Sequence, residues 1–496
     1  MAKKILIIGA GIGGLSAGCY GQMNGYDTEI YEMHDIPGGL CTSWSRKGYT
    51  IDGSIYYLLG SNASNPIYDY WTEVGAFQDK ELIQHDEFYR VEGEDGRTCI
   101  LYSDLHRLEE HLLSLSPLDK DLIQEMIRVA LLFTTIPNPT EKPYDLYSWL
   151  DWLKMFYKLH PYFKDFQKYA QITLGDFADQ FRDPLIRETL KCFPPTYQGM
   201  SLFFCTLASY HNQDAGYPLG GSREFSKSIA KHYTDLGGKL HYKAKVDRVL
   251  VKNNQAVGIR LSDGTEVCGD YILPAINSYS TMFDLLGGRY VNQKLKGYYE
   301  TLPTLTNVQV ALGVDYDLSQ EPHFLGVKLP EPVTLGGMTI QYVFLKHYGY
   351  DTSLSPSGKS LVLSFFEASY DYWKNLADNP EAYAAEKKKF SDLVIQALNQ
   401  KYPVCKGNIE MVDVATPLTY VRYTDTWKGA YMSWIEMTKT GFLRVSRTLP
   451  GLENLYMLSQ WTNPPGGLPS ALVSGRWAIQ ILCKKDKKAF TTTKTK

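Results

Sequence analysis

An apolar run, Ile5-Leu6-Ile7-Ile8, leads without a break into Gly9-x-Gly11-x-x-Gly14, and Gly18 follows one helical turn later. Such a run ending in a glycine turn predicts a buried parallel strand, then a tight turn, then a helix. Gly9 makes the turn, Gly11 lets the backbone approach a diphosphate, and Gly18 lets the helix lie close to the strand. The start of the helix offers unpaired N–H groups and the positive end of its dipole to an anion. A second strand, Thr28 to Tyr31, ends in Glu32, 18 residues after Gly14. A carboxylate at that point accepts hydrogen bonds from a ribose diol and repels a 2′-phosphate. The chain therefore opens as a dinucleotide-binding unit.

Composition narrows the rest. At 496 residues there is room for about three domains' worth of core. Lys plus Arg (51) against Asp plus Glu (54) leaves a formal charge of −3, so no basic field exists to hold nucleic acid. Eight cysteines are scattered without a C-x-x-C pair, which reads as reduced thiols in a cytoplasmic setting. The ten histidines show no ligand spacing, so no metal is expected. No stretch approaches the roughly 18 to 20 apolar residues of a spanning helix, and the chain is expected to be soluble or at most peripheral to a membrane.

Residues 1–75, 216–285 and 440–483 are alike in kind, each combining strand, loop and helix, whereas 76–215 and 286–439 differ from them. The 76–215 block reads as helical and aromatic, broken by Pro137, Pro139 and Pro143. The 286–439 block alternates in strand fashion at Val308, Val310 and Leu312 and at Leu361, Leu363 and Phe365. It also holds a helix with Asn379 as N-cap and Pro380 at the first position. The predicted fold is α/β, with a discontinuous Rossmann-type dinucleotide-binding domain interleaved with a mixed-sheet and helical substrate domain. Residues 484–496 form a basic tail.

Which dinucleotide binds is indicated further along. Gly38-Gly39 suits a loop crossing a long cofactor, and Gly48 to Gly53 reads as turn and strand. Leu455 to Leu458 reads as another strand, followed by Ser459-Gln460-Trp461, Pro465-Gly466-Gly467-Leu468-Pro469 and a helix with small residues along its face. A helix N-terminus aimed at a flavin edge stabilises its anionic reduced form. No second G-x-G-x-x-G has a strand and helix around it, so no separate nicotinamide domain is expected and the electron partner stays open.

With Tyr217-Pro218-x-Gly220-Gly221, Ala415-Thr416-Pro417, Arg422-Tyr423 and Ser474-Gly475-Arg476 added to these motifs, the sequence resembles the phytoene desaturase and retinol saturase type of FAD-dependent oxidoreductase. That type belongs to the amine-oxidase-like flavoproteins. The resemblance runs end to end and implies FAD as cofactor. It implies Gly9, Gly11, Gly14 and Glu32 on the ADP half, Gly38, Gly39 and Leu40 at the diphosphate and flavin edge, and Val246 against adenine. It also implies Gln460, Gly467 and Leu468 at the ribitol and flavin. Two departures stand out. Many relatives have Gly-Asp where Ser459-Gln460 stands, and many carry Arg after the double glycine, where this chain has Leu40 and Cys41. Cys41 is read as a packed cysteine.

The chain has 37 Tyr, more than its 20 Phe and 9 Trp together, so it uses large apolar rings with polar tips. Between 144 and 169 aromatic residues interleave with Lys154, Lys158, Lys164 and Lys168. Trp149, Leu150, Leu153, Phe156 and Tyr157 follow helical spacing. This segment reads either as a helix packed on its own domain or as one lying in a membrane interface. A second cluster, with Tyr197, Tyr210, His211 and Tyr217, joins Tyr56 and Tyr420 as the expected substrate wall over the flavin, with the proton-transferring residue left open. The expected reaction is hydride transfer between flavin and an apolar, unsaturated, lipid-like substrate: desaturation, saturation or double-bond isomerisation. The rivals are an amine or amino-acid oxidase on the same fold, and a prenyl-lipid chaperone without flavin. The intact glycine turn with Glu32 argues against the chaperone.

Overall fold

A computed structural model describes residues 2–193, 199–434, 443 and 445–493. Lys4–Ile8 is a strand and Ile12–Met23 the helix that follows the glycine turn. Ile5, Leu6 and Ile7 are fully buried, so both faces of the strand are covered and its sequence shows no alternation. The strand lies between Asp27–Tyr31 and Tyr271–Pro274 in a four-stranded parallel sheet, with Lys239–His241 on the outer side of Asp27–Tyr31. Leu455 to Leu458 runs beside Tyr271–Pro274 with a single bridge from Leu455 to Ile272 instead of a full ladder. One α/β sheet of Rossmann type thus draws on widely separated stretches of chain.

Glycine sets how closely its helices approach. A Cβ on Gly14 would lie 2.0 Å from the Gly9 carbonyl oxygen, and one on Gly18 would lie 2.7 Å from the Tyr233 ring. A Cβ on Gly475 would lie 2.5 Å from the Gly13 oxygen, so the C-terminal helix Leu468–Lys485 packs directly on the first helix. Below these, Lys3 Nζ, Tyr26 and Tyr271 all reach the Asp486 carboxylate, which ties the far end of that helix to the starts of the three strands Lys4–Ile8, Asp27–Tyr31 and Tyr271–Pro274.

The second sheet has seven strands in the order Ile409–Ala415, Asn307–Val314, Ser360–Glu367, Met338–His347, Phe324–Leu335, Glu87–Glu92 and Thr98–Tyr102. The last two come from the block expected to be helical. Tyr89 and Val91, and Cys99 and Leu101, alternate with less buried neighbours and close the edge of the sheet over a helical core. Val308, Val310 and Leu312 pack on the helix Pro380–Lys401, whose N-cap Asn379 accepts from Ala382 N–H as expected. The opposite face, with Ala311, Leu361 and Leu363, joins the core of the parallel sheet. The cavity described below lies between the two sheets and the helices of 76–215.

Two glycines separate packing from propensity. Gly18→Val drives a side chain into Tyr233 and lowers unfolding free energy by about 1–3 kcal/mol. Gly297 lies inside the helix Gln293–Thr301 with open space at its Cβ, so Gly297→Ala raises stability by about 0.5–1 kcal/mol. Thermal or urea unfolding of the two variants against the parent checks both signs.

Candidate functional site

The first helix begins at Gly11 with no side-chain cap and no acidic residue in its first turn. Its leading N–H groups therefore face the cavity with no anionic partner from the chain. Opposite stands Gly38-Gly39, at φ +114° and +60°, conformations that glycine adopts without strain. The Gly38 N–H donates to Ala10 O at 2.8 Å, and a Cβ on Gly39 would lie 3.4 Å from Gly11 Cα. Two bare backbones thus meet beside the cavity, where any side chain would take up its space. An uncapped helix start and a glycine-lined cleft fit the diphosphate of a dinucleotide.

Glu32 is buried at the end of its strand and lines the cleft, and its carboxylate accepts from Ala10 N–H at 2.7 Å and His34 N–H at 3.0 Å. Those bonds fix it beside the glycine turn. Val246 lines the same cleft, as do Leu40, Gln460, Gly467 and Leu468 farther along. Gln460 is committed on both ends of its amide: Oε1 accepts from Gly467 N–H at 2.9 Å, and Nε2 donates to Tyr431 O at 3.2 Å. It shapes the turn that starts the helix Leu468–Lys485, another helix N-terminus without a side-chain cap. Cys41 is buried, and desolvation pushes its thiol up to about 12, so it sits packed and protonated.

The cavity measures about 2320 Å³. A pocket for one small molecule occupies ~300–1,000 Å³, so this volume admits a dinucleotide and a second large ligand together. Tyr56, Tyr57, Tyr420, Tyr423 and Tyr431 line it, and so do Phe88, Phe193, Phe324, Phe344 and Phe365. These rings are contiguous: Tyr56 lies 4.5 Å from Phe365 and 6.0 Å from Phe324, and Phe88 lies 6.0 Å from Tyr57 and 5.8 Å from Phe193. The Tyr420 hydroxyl donates to Gln309 Oε1 at 3.0 Å, and Gln309 Nε2 donates to Asp52 O at 2.8 Å. Burial pushes the Tyr56 and Tyr420 phenols up, so both keep their protons.

Three expected substrate residues do not line the cavity. Tyr210 packs behind Tyr57 and Phe88, at 5.4 and 4.7 Å between ring centroids. His211 accepts from Leu105 N–H through Nδ1 and faces Asp104 at the end of its helix. Tyr217 is fully buried and its hydroxyl donates to Asp52 at 3.0 Å. Tyr197 falls outside the described residues.

Beneath Tyr56 lies a residue that sequence reading did not single out. Lys346 is 2% exposed, its Nζ donates to Tyr56 O at 2.9 Å, and the ammonium stands 4.3 Å from the Tyr56 ring centroid. Its strand alternates, with Phe344 turned to the cavity and Val343 and Leu345 to the opposite core. Burial lowers Lys346 to about 7, partly opposed by Asp52. The Asp52 carboxylate itself is taken up by Ser222, Tyr217 and Ser54 N–H. Beyond it His85 and His323 stack at 3.8 Å, and burial holds both imidazoles neutral. Between about pH 7 and the ordinary lysine value of 10.5 the unfolded chain binds a proton that folded Lys346 does not, so stability rises with pH across that window. Relative to a Lys346→Met variant, the parent gains roughly 1.4 kcal/mol per pH unit there, and the variant is the more stable at pH 7. Urea unfolding of both proteins across the window measures this difference.

The profile of the flavin-containing amine oxidoreductase family matches residues 12–480. Prolycopene isomerase from Daucus carota is 24% identical over 95% of this chain and 78% of its own length. The lycopene-forming phytoene desaturase of Pseudescherichia vulneris is 23% identical over 97% of this chain and 99% of its own. Among solved structures, an oxidoreductase from Methanosarcina mazei superposes with a TM-score of 0.59 at 16% identity, covering 96% of this chain and 100% of that one. Cyclohexylamine oxidase from Brevibacterium oxydans gives 0.59 at 13%, covering 98% and 100%. With a cleft that fits a dinucleotide and a family match over nearly its whole length, the chain belongs to the flavin-containing amine oxidoreductases, as an FAD-dependent oxidoreductase.

Proposed function

We propose that the enzyme desaturates, saturates or isomerises double bonds of a long, apolar polyene. The observation that carries this is the wall that the helical block gives the cavity. It includes Ile136, Met155, Leu159, Phe166, Phe193 and Leu202. Among the described residues of that block, Asp145 is the one charged side chain lining the cavity, and it is neutralised by Arg447 at 2.7 Å. A wall so free of charge favours a hydrocarbon over a charged amine. The likeness to proteins named prolycopene isomerase and phytoene desaturase supports the same class.

In this reading segments 1–75, 216–285 and 440–483 hold FAD, and 76–215 and 286–439 hold the substrate. Gly9, Gly11, Gly14, Glu32 and Val246 bind the ADP half; Gly38 to Leu40, Gln460, Gly467 and Leu468 bind the remainder. Bound flavin supplies two-electron hydride chemistry. The chain orients the polyene along the aromatic wall and excludes water. Tyr56 lines the cavity, and its hydroxyl has no hydrogen-bond partner among the described residues, which suits it to give or take the accompanying proton.

Access is proposed through a lipid surface. The helix Trp149–Leu159 buries none of its residues. Trp149 and Tyr157 are 70% and 83% exposed, with Leu150, Leu153 and Phe156 beside them and Lys154 and Lys158 interspersed. Met155 and Leu159 of the same helix, with Tyr162 and Phe163 after it, line the cavity. Among the described residues no helix is long and apolar enough to cross a membrane. The segment instead suits a helix lying in the interface with the cavity opening behind it.

Three measurements test these readings. Tyr56→Phe keeps its flavin absorbance and loses turnover of an all-carbon polyene by about 100-fold or more. Hydrogen peroxide release with amines, with no conversion of polyenes, sinks the main reading in favour of an amine oxidase. Leu153→Asp with Phe156→Asp abolishes sedimentation with anionic vesicles while flavin content is unchanged; equal sedimentation of parent and variant removes the membrane contact.

A further inference from the structure

Three cations line the cavity where the seven-stranded sheet meets the hairpin that follows Gly38-Gly39: Arg46, Lys387 and Arg422. The carboxylate beside them, Asp413, is already engaged, accepting from Trp44 Nε1 at 2.9 Å and facing Arg46 Nε at 3.4 Å. Lys387 and Arg422 make no ion pair among the described residues. Burial lowers Lys387, Asp413 opposes that, and the nearby Arg422 charge adds to the lowering. Two positive charges thus stand on one cavity wall, an arrangement that an anion would balance.

The placement of Arg422 says which anion. Its helix, Pro417–Thr424, ends in a turn that spans the dinucleotide cleft. On one side the Tyr423 ring lies 5.8 Å from His34, in the loop after Asp27–Tyr31. On the other, Asn277 Nδ2, in the loop after Tyr271–Pro274, donates to Asp425 O at 2.9 Å. These loops are the two lips of the cleft. Beneath them, the segment Gly38-Gly39-Leu40-Cys41-Thr42 carries no cation, and a helix N-terminus supplies only about half a positive charge. Thr42 lines the same cavity with its buried hydroxyl unpartnered. A diphosphate brings two negative charges to this region.

We propose that Arg422 and Lys387 form a dianion site on the rim of the cleft and neutralise the cofactor's diphosphate, in place of a cation in the Gly38–Thr42 loop. A helix of the second domain then completes the charge balance of the first. The proposal rests on the dinucleotide reading of the cleft and is independent of the substrate.

The test titrates full-length chain, stripped of flavin, with FAD and with riboflavin, which lacks the diphosphate, following flavin fluorescence. Arg422→Met and Lys387→Met each weaken FAD about 10- to 100-fold, flatten its dependence on salt, and leave riboflavin unchanged. Leu40→Arg in the Arg422→Met background recovers most of the loss. Unchanged FAD affinity in both variants overturns the proposal, and so does equal loss of FAD and riboflavin, which marks a damaged fold. Inorganic pyrophosphate titrated into FAD-loaded parent and variants separates a free ligand. If the variants lose pyrophosphate and keep FAD, the dianion is not the cofactor's and the assignment falls. No substrate is added, so failure here is distinct from failure of the polyene reading.

Discussion

Everything in this molecule is arranged around a place where backbone must meet backbone. Between Gly9–Gly14 and Gly38-Gly39 the chain withholds side chains on both sides, and the first helix starts without a cap. A helix start left uncapped retains unsatisfied N–H groups and a focused positive potential. The surrounding fold holds these features against one another and clear of competing anions. Glu32, a carboxylate lining the cavity beside the helix start, is held by Ala10 and His34 N–H groups. The helices around this point are drawn close by Gly18, Gly14 and Gly475, each filling with a neighbour the volume a Cβ would need. Tight packing and an open anion cradle come from the same residue type used in opposite ways.

The seven-stranded sheet is more than a lid of aromatic rings. One face packs on the helix Pro380–Lys401 while the other meets both the parallel-sheet core and the cavity, so a strand such as Met338–His347 divides its residues between a dry core and the site. Lys346 shows what this division costs: it follows Phe344 on the cavity side and ends beneath Tyr56 with a backbone carbonyl for a partner. A buried ammonium is seldom kept without a nearby carboxylate. Here three aromatic faces, Tyr56, Tyr348 and Phe324, surround it in place of a paired acid.

Local signals were legible in the sequence and non-local ones were not. Gly9 to Glu32 encodes strand, turn, helix and strand within one short stretch, and each residue's role follows from its neighbours. The cap at Asn379 is of the same kind. Tyr56 and Tyr217 look alike in sequence, but one faces the cavity and the other is bound to Asp52, a distinction made by partners far away in the chain. Tyr210 and His211 end a helix whose other contacts bury the first and use the second to cap a neighbour. The strands Glu87–Glu92 and Thr98–Tyr102 carry an alternation, yet a sheet whose other strands lie far along the chain gives no sign of itself in a helix-rich block. Lys346 was invisible because a lysine in an alternating strand ordinarily faces water.

The parallel sheet also has a history written into its order. Its central strand is made from residues 4–8, but its neighbours include 271–274, and the helix that covers it is 468–485. During synthesis the glycine turn emerges early and waits, because the surfaces that bury Ile5 to Ile8 are hundreds of residues away in sequence. Closing such long loops is slow, and unpaired parallel strands are exposed to misassociation meanwhile. The cofactor cleft is complete only once Gly467 and the helix after it have docked. Holoenzyme assembly is therefore an event that follows synthesis of Gly467 and the helix after it, far downstream of the glycine turn, and until then the strands that await it are open to misassociation.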